Sequence, residues 1–132
     1  MIAAKEIINK YLGIPYKHHG RDMSGLDCWG FVILVYRDMG YELLDISDYA
    51  ERWSWQGGNY FIENYSKQWE HVAVSKPLDI VLFKNSIDVA NHCGIYLGGG
   101  KFIHCCRHGV IVSNLYEKPW GQRIDGIYRL KQ

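Results

Sequence analysis

The sequence predicts an α+β domain in which helices come first and an antiparallel sheet follows. Two patterns carry that expectation. Before Gly40 apolar residues recur at helical spacing, whereas from Pro77 onward short β-rich runs are cut by turn residues. The length of 132 residues, with 48% of them hydrophobic, suits one compact domain spanning 1–132 with a core of its own.

From about Ala3 to Leu12, the residues Ala4, Ile7, Ile8, Tyr11 and Leu12 trace one helix face, and Gly13 with Pro15 ends it. Ile14 to Gly25 is too rich in Gly, Pro and polar residues to be regular and is expected as a loop. A second helix begins at Cys28, because Phe31, Val32, Val35, Tyr36 and Met39 fall on one stripe before Gly40 stops it. It is expected to pack on the first. The segment from Asp45 to His71 is dense in aromatics and broken by Gly57-Gly58, so two short helices are expected there. Tyr49 with Trp53, and Phe61 with Tyr65, read better as i, i+4 core pairs than as a substrate platform. Strands are expected over 79–83, 93–97, 101–105, 110–112 and 124–130.

Charge and composition exclude several classes. The formal net charge is +1, with neither sign dominating a segment, which leaves no footprint for nucleic acid or an anionic membrane. The longest apolar run, Phe31 to Tyr36, is far short of the roughly 20 residues a spanning helix needs. Charges near Met1 stand where a signal peptide would carry its apolar centre, so synthesis without a cleaved leader, in the cytoplasm, is expected. The four cysteines, Cys28, Cys93, Cys105 and Cys106, are too unevenly placed for a disulfide framework and are expected as reduced thiols.

Chemistry is expected at Cys28, where a polar loop turns into a buried helix. A thiol in the first turn meets unpaired backbone N–H groups and the positive end of the macrodipole, surroundings that suit a nucleophile. Such a nucleophile needs a base within hydrogen-bond reach, and the base needs an orienting partner. Among the six histidines, His92 and His104 lie in the strand pattern. If Gly98-Gly99-Gly100 forms a three-residue hairpin loop, Leu97 faces Lys101, His104 lies opposite Gly94, and His92 shares its face. A two-residue loop would turn one strand over and break the pair. The competing reading is two half-buried sheet histidines. Zinc is a further alternative, although Cys93 and Cys105 should turn away from His92 and His104, and the chain has no Cys-x-x-Cys pair.

These residues carry a resemblance to a known family. Pro15-Tyr16 with its Gly-containing loop, Gly25-Leu26-Asp27-Cys28-Trp29-Gly30-Phe31-Val32, Pro77-Leu78-Asp79-Ile80-Val81-Leu82-Phe83, His92-Cys93-Gly94-Ile95-Tyr96-Leu97-Gly98 and Phe102-Ile103-His104 follow one another as in the NlpC-type cell-wall cysteine peptidases. That family is a branch of the papain-like fold, and the chain resembles it over nearly its whole length. The resemblance implies hydrolysis of peptidoglycan stem peptides, most often between γ-D-glutamate and the following diamino acid, with no metal or organic cofactor. It implies Cys28 as nucleophile, His92 as base, His104 as its orienting group and Tyr16 as an oxyanion donor. Asp27 would recognise the peptide amine, or cap the helix, or both.

Trp29 replaces the serine of many cellular members, and with the loop Lys17-His18-His19-Gly20-Arg21 it resembles the branch found in phage tails and prophages. Trp29 would reshape the substrate pocket or pack the helix. That branch implies tail proteins as partners and action in the cell wall or periplasm. Two other classes stay open: a tail adaptor that binds without cleaving, and a papain-like amidase or acyltransferase on another acyl group.

Overall fold

The computed structural model describes residues 4–43, 68–84 and 90–131. The expected helices around Gly57-Gly58, with the pairs Tyr49/Trp53 and Phe61/Tyr65, lie outside the described residues. The described elements run α1 (Ala4–Tyr11), β1 (Arg21–Asp22), β2 (Gly25–Leu26), α2 (Cys28–Asp38), β3 (Trp69–Val72), β4 (Ile80–Lys84), β5 (Ala90–Gly98), β6 (Lys101–Cys106), β7 (Gly109–Asn114), a 3-10 turn at Trp120–Gln122 and β8 (Ile124–Leu130). The α+β expectation holds. Among the described residues, two α-helices precede a six-stranded antiparallel sheet of order β3-β8-β4-β5-β6-β7.

Both helices end where a glycine takes positive φ, Gly13 at 88° and Gly40 at 93°. They pack together as expected: Tyr11 meets Phe31 edge-on at 5.5 Å, and its hydroxyl donates to Asp38 Oδ2 at 2.5 Å. Helix α2 is apolar almost all round, with Trp29 to Ile33, Val35 and Tyr36 buried, because loop, sheet and α1 enclose it. Alternation along β4 divides the core in two. Ile80 and Leu82 join Cys93, Ile95, Ile103 and Cys105 against α2, while Val81 and Phe83 join Phe102 and Leu115 in a smaller cluster with Trp120.

Three local expectations change. The stretch before Cys28 is not wholly irregular: β1 and β2 form a small hairpin, and Tyr16 makes a parallel bridge to Leu26. Its glycines allow the close approach, since a Cβ on Gly20 would stand 2.2 Å from the Gly25 carbonyl oxygen. Trp69 and His71, placed by their aromatic company in a helical segment, instead lie in β3, paired with Leu130 and Tyr128. Pairing with β8 overrides local composition there.

The third change concerns the glycine run. Gly98 pairs with Lys101, so the loop has two residues, Gly99 and Gly100, and Leu97 does not face Lys101. The ladder shifts between Tyr96 and Gly98, leaving Leu97 as a bulge, and beyond it Tyr96 pairs with Phe102 and Ile95 with Ile103. This is the register that the three-residue loop was expected to give. The bulge supplies the odd residue the loop lacks, and the face of His104 is preserved.

Candidate active site

Cys28 opens α2 directly after its N-cap. The Asp27 carboxylate accepts from the Gly30 backbone N–H at 2.7 Å and from Arg21 Nη1 at 2.8 Å through Oδ1, and from the His19 backbone N–H at 3.2 Å through Oδ2. It is 4% exposed, so the cap also ties the loop to the helix. The turn is tight, because a Cβ on Gly30 would lie 2.0 Å from the Gly20 carbonyl oxygen. Arg21 was not foreseen, and its only signal was a cation six residues before a capping aspartate.

Tyr16 reaches the site through the backbone. Leu26 N–H donates to the Pro15 carbonyl and Lys17 N–H to the Leu26 carbonyl, each at 3.0 Å, which fixes Tyr16 beside the residue two before Cys28. Trp29 is 2% exposed and meets Trp69 edge-on at 6.3 Å, so its indole belongs to the core.

The histidines come together as the hairpin register requires. His92 Nε2 lies 2.7 Å from His104 Nδ1, and His104 Nε2 lies 2.9 Å from Ser113 Oγ. Trp120 stacks on His92 at 5.6 Å and stands edge-on to His104 at 4.8 Å, while Phe102 lies 4.5 Å from His104. Burial in this aromatic box pushes His104 down to about 4. His92 is also held well below the ordinary imidazole range, first by burial and then by His104 and Arg123. Both rings are therefore neutral near pH 7. Ser113 and Trp120 were not foreseen. Ser113 had a signal, because strand alternation puts it on the His104 face once β7 is carried past Val112.

Cys28 and His92 belong to neighbouring but different contact sets. The Cys28 thiol meets Cys93, and no hydrogen bond joins Cys28 to His92 among the described residues. Cys93 lies on the α2 side of the sheet, whereas His92 pairs with Phe83 on the other side, so these chain neighbours point apart. The other two thiols of this cluster are poor nucleophiles. Burial, followed by the contact with Cys28, raises Cys93 well above the usual range, and burial pushes Cys105 up to about 12. Cys105 Sγ donates to the Leu26 carbonyl at 3.0 Å, whereas Cys28 remains half-buried at the loop.

A helix opening on a half-buried cysteine, laid on an antiparallel sheet that carries a hydrogen-bonded histidine pair, defines a papain-like protein of the α+β class. The chain belongs to the NlpC/P60 family, whose model matches residues 13–129. It is 31% identical over 121 residues to a probable endopeptidase p60 of Listeria grayi, a match covering 92% of this chain and 21% of that protein. It is 34% identical over 128 residues to a gamma-DL-glutamyl hydrolase of Bacillus subtilis, covering 91% of this chain and 27% of that one. The chain thus spans only about a quarter of the length of these relatives. Among solved structures, the NlpC/p60 domain of the peptidoglycan hydrolase SagA superposes with a TM-score of 0.60 at 26% identity, covering 98% of this chain and 97% of that one. An NLP/P60 family protein of Staphylococcus aureus gives a TM-score of 0.72 at 19% identity, covering 97% of this chain and 40% of that one, which extends the likeness in fold.

Proposed function

We propose that this chain is a cysteine peptidase that hydrolyses peptidoglycan stem peptides at the bond between γ-D-glutamate and the following diamino acid. The observation that carries the reading is the His92 Nε2 to His104 Nδ1 bond at 2.7 Å, on a strand whose next residue, Cys93, touches the Cys28 thiol. That bond leaves His92 Nδ1 as the nitrogen to serve Cys28. The printed names of the relatives, an endopeptidase, a gamma-DL-glutamyl hydrolase and a peptidoglycan hydrolase, support the substrate class.

In this reading His92 Nδ1 takes the Cys28 proton as the sulfur attacks the scissile carbonyl carbon. The oxyanion rests on the Cys28 backbone N–H, which has no intrahelical partner in the first turn, and on the Tyr16 hydroxyl. The His92 imidazolium protonates the leaving amine as the C–N bond breaks. Water then gives its proton to His92 and its oxygen to the acyl carbon, releasing the acid and the thiol. Asp27 and Trp29 act from beneath, the one holding the oxyanion turn and the other packing it.

The setting belongs to the same reading. Trp29 and the loop Lys17 to Arg21 support a phage-tail or prophage origin with tail proteins as partners, and a search for the chain in purified virions tests this. For the chemistry, purified peptidoglycan is incubated with the wild-type chain and with Cys28→Ala, and the muropeptides are analysed by mass. Loss of cleaved stem peptides in the variant is expected, and equal cleavage by both proteins overturns the proposal.

A further inference from the structure

Two hydrogen bonds joining two neutral imidazoles and a hydroxyl allow only two proton arrangements. In one, His92 Nε2–H donates to His104 Nδ1 and His104 Nε2–H donates to Ser113 Oγ, so His92 Nδ1 keeps its lone pair. In the other, the Ser113 hydroxyl donates to His104 Nε2, His104 Nδ1–H donates to His92 Nε2, and His92 Nδ1 carries the proton. Only the first arrangement leaves a base at Nδ1. It also matches the imidazolium that follows proton uptake, since His92 then still donates from Nε2. The direction of the Ser113 bond therefore decides whether His92 is a base.

We infer that Ser113 is a positioning residue of this site, whose hydroxyl accepts from His104 Nε2–H and thereby holds His92 in the tautomer with a free Nδ1 lone pair. The inference rests on the reading of Cys28 and His92 given above. Its geometry comes from the β6–β7 ladder. His104 pairs with Ile111 and Phe102 with Ser113, so Ser113 lies two residues from the His104 partner on the same face, and its Oγ stands 2.9 Å from Nε2. Among the described residues no other partner meets that nitrogen. His104 is fully buried against Phe102 and Trp120, so solvent is a poor substitute for the hydroxyl. Ser113 itself is half-buried and can pass its own proton outward. Arg123, close enough to act on His92, disfavours the imidazolium and makes the neutral tautomer the state that matters.

Ser113→Thr keeps the hydroxyl, and Ser113→Val keeps the shape of threonine without it. Ring 15N shifts of His92 and His104 in the full chain, with no substrate present, should show His104 protonated at Nε2 in the wild type and in Ser113→Thr. In Ser113→Val the proton should move to Nδ1. On stem-peptide substrate, kcat should fall roughly tenfold in Ser113→Val with KM unchanged, and Ser113→Thr should restore it. Wild-type 15N shifts in Ser113→Val, or equal kcat for the valine and threonine variants, overturn the inference. A wild-type chain that leaves stem peptides uncut overturns the peptidase reading instead, and the 15N shifts still decide the role of Ser113.

Discussion

Gly94 faces His104 across the β5–β6 ladder so closely that a Cβ on it would stand 3.0 Å from the His104 Cβ, 2.8 Å from the Phe102 ring and 3.1 Å from the Ile103 carbonyl oxygen. The glycine is what lets His104 sit flat against the sheet beside His92. Gly94→Ala should therefore cost roughly 2 kcal/mol of stability by overpacking and should reduce stem-peptide cleavage further than that loss alone explains. Gly99→Asn is the control, since nothing lies within 4 Å of its Cβ position and Asn tolerates its φ of 61°. Urea midpoints and cleavage rates of the two variants check the contrast.

Asp27 concentrates three donors on one carboxylate, the Gly30 and His19 backbone N–H groups and Arg21. Asp27→Ala removes the cap and leaves Arg21, only 20% exposed, without that partner. A loss of roughly 2 kcal/mol in urea unfolding is expected. Asp27→Asn can still cap and should lose less.

Acid should destabilise the fold through its histidines. His104 is pushed from an ordinary 6.5 to about 4 in the native protein, and His92 is lowered with it. In the unfolded chain both titrate near their ordinary value, so between about pH 4 and 6.5 the unfolded state binds more protons. Stability is thus full above that window and falls as the pH drops through it. For His104 the loss reaches on the order of 3 kcal/mol below the window. Urea midpoints measured at pH 7 and pH 5 should separate in the wild type and draw together in His104→Gln.

The four cysteines should divide evenly in a thiol titration. Cys28 and Cys106 are half-buried, whereas Cys93 and Cys105 are buried. Two thiols should react quickly with an aromatic disulfide reagent in the native protein, one in Cys28→Ala, and all four in the wild type only after unfolding. Four fast thiols in the native protein would contradict the packing around Cys28.

Helix spacing made α1 and α2 legible, and alternation with turn residues made β4 to β8 legible, because those local signals agree with the tertiary contacts. The segment ending in Trp69 misled for the opposite reason: its aromatics suit a helix face as well as a strand, and pairing with β8 decides. Cys28 and the His92/His104 pair were readable from motif and parity. Ser113 is within reach of the same parity rule, but its strand runs on to Asn114, two residues past the β-rich run 110–112 that the sequence shows. Arg21 and Trp120 left almost no trace, since each meets its partner through a loop path that periodicity does not describe.

The bulge at Leu97 bears on how this hairpin can vary between related chains. Loop length and bulge together fix which face His104 takes, so either can change if the other compensates. Closing the bulge while lengthening the loop to Gly98-Gly99-Gly100 would leave the Ile95/Ile103 pairing untouched. Removal of one glycine is absorbed by closing the bulge, since Leu97 then pairs with Lys101 around a two-residue loop and Tyr96 still pairs with Phe102. The bulge is thus a spare residue, and the hairpin can lose one glycine without turning His104 to the other face.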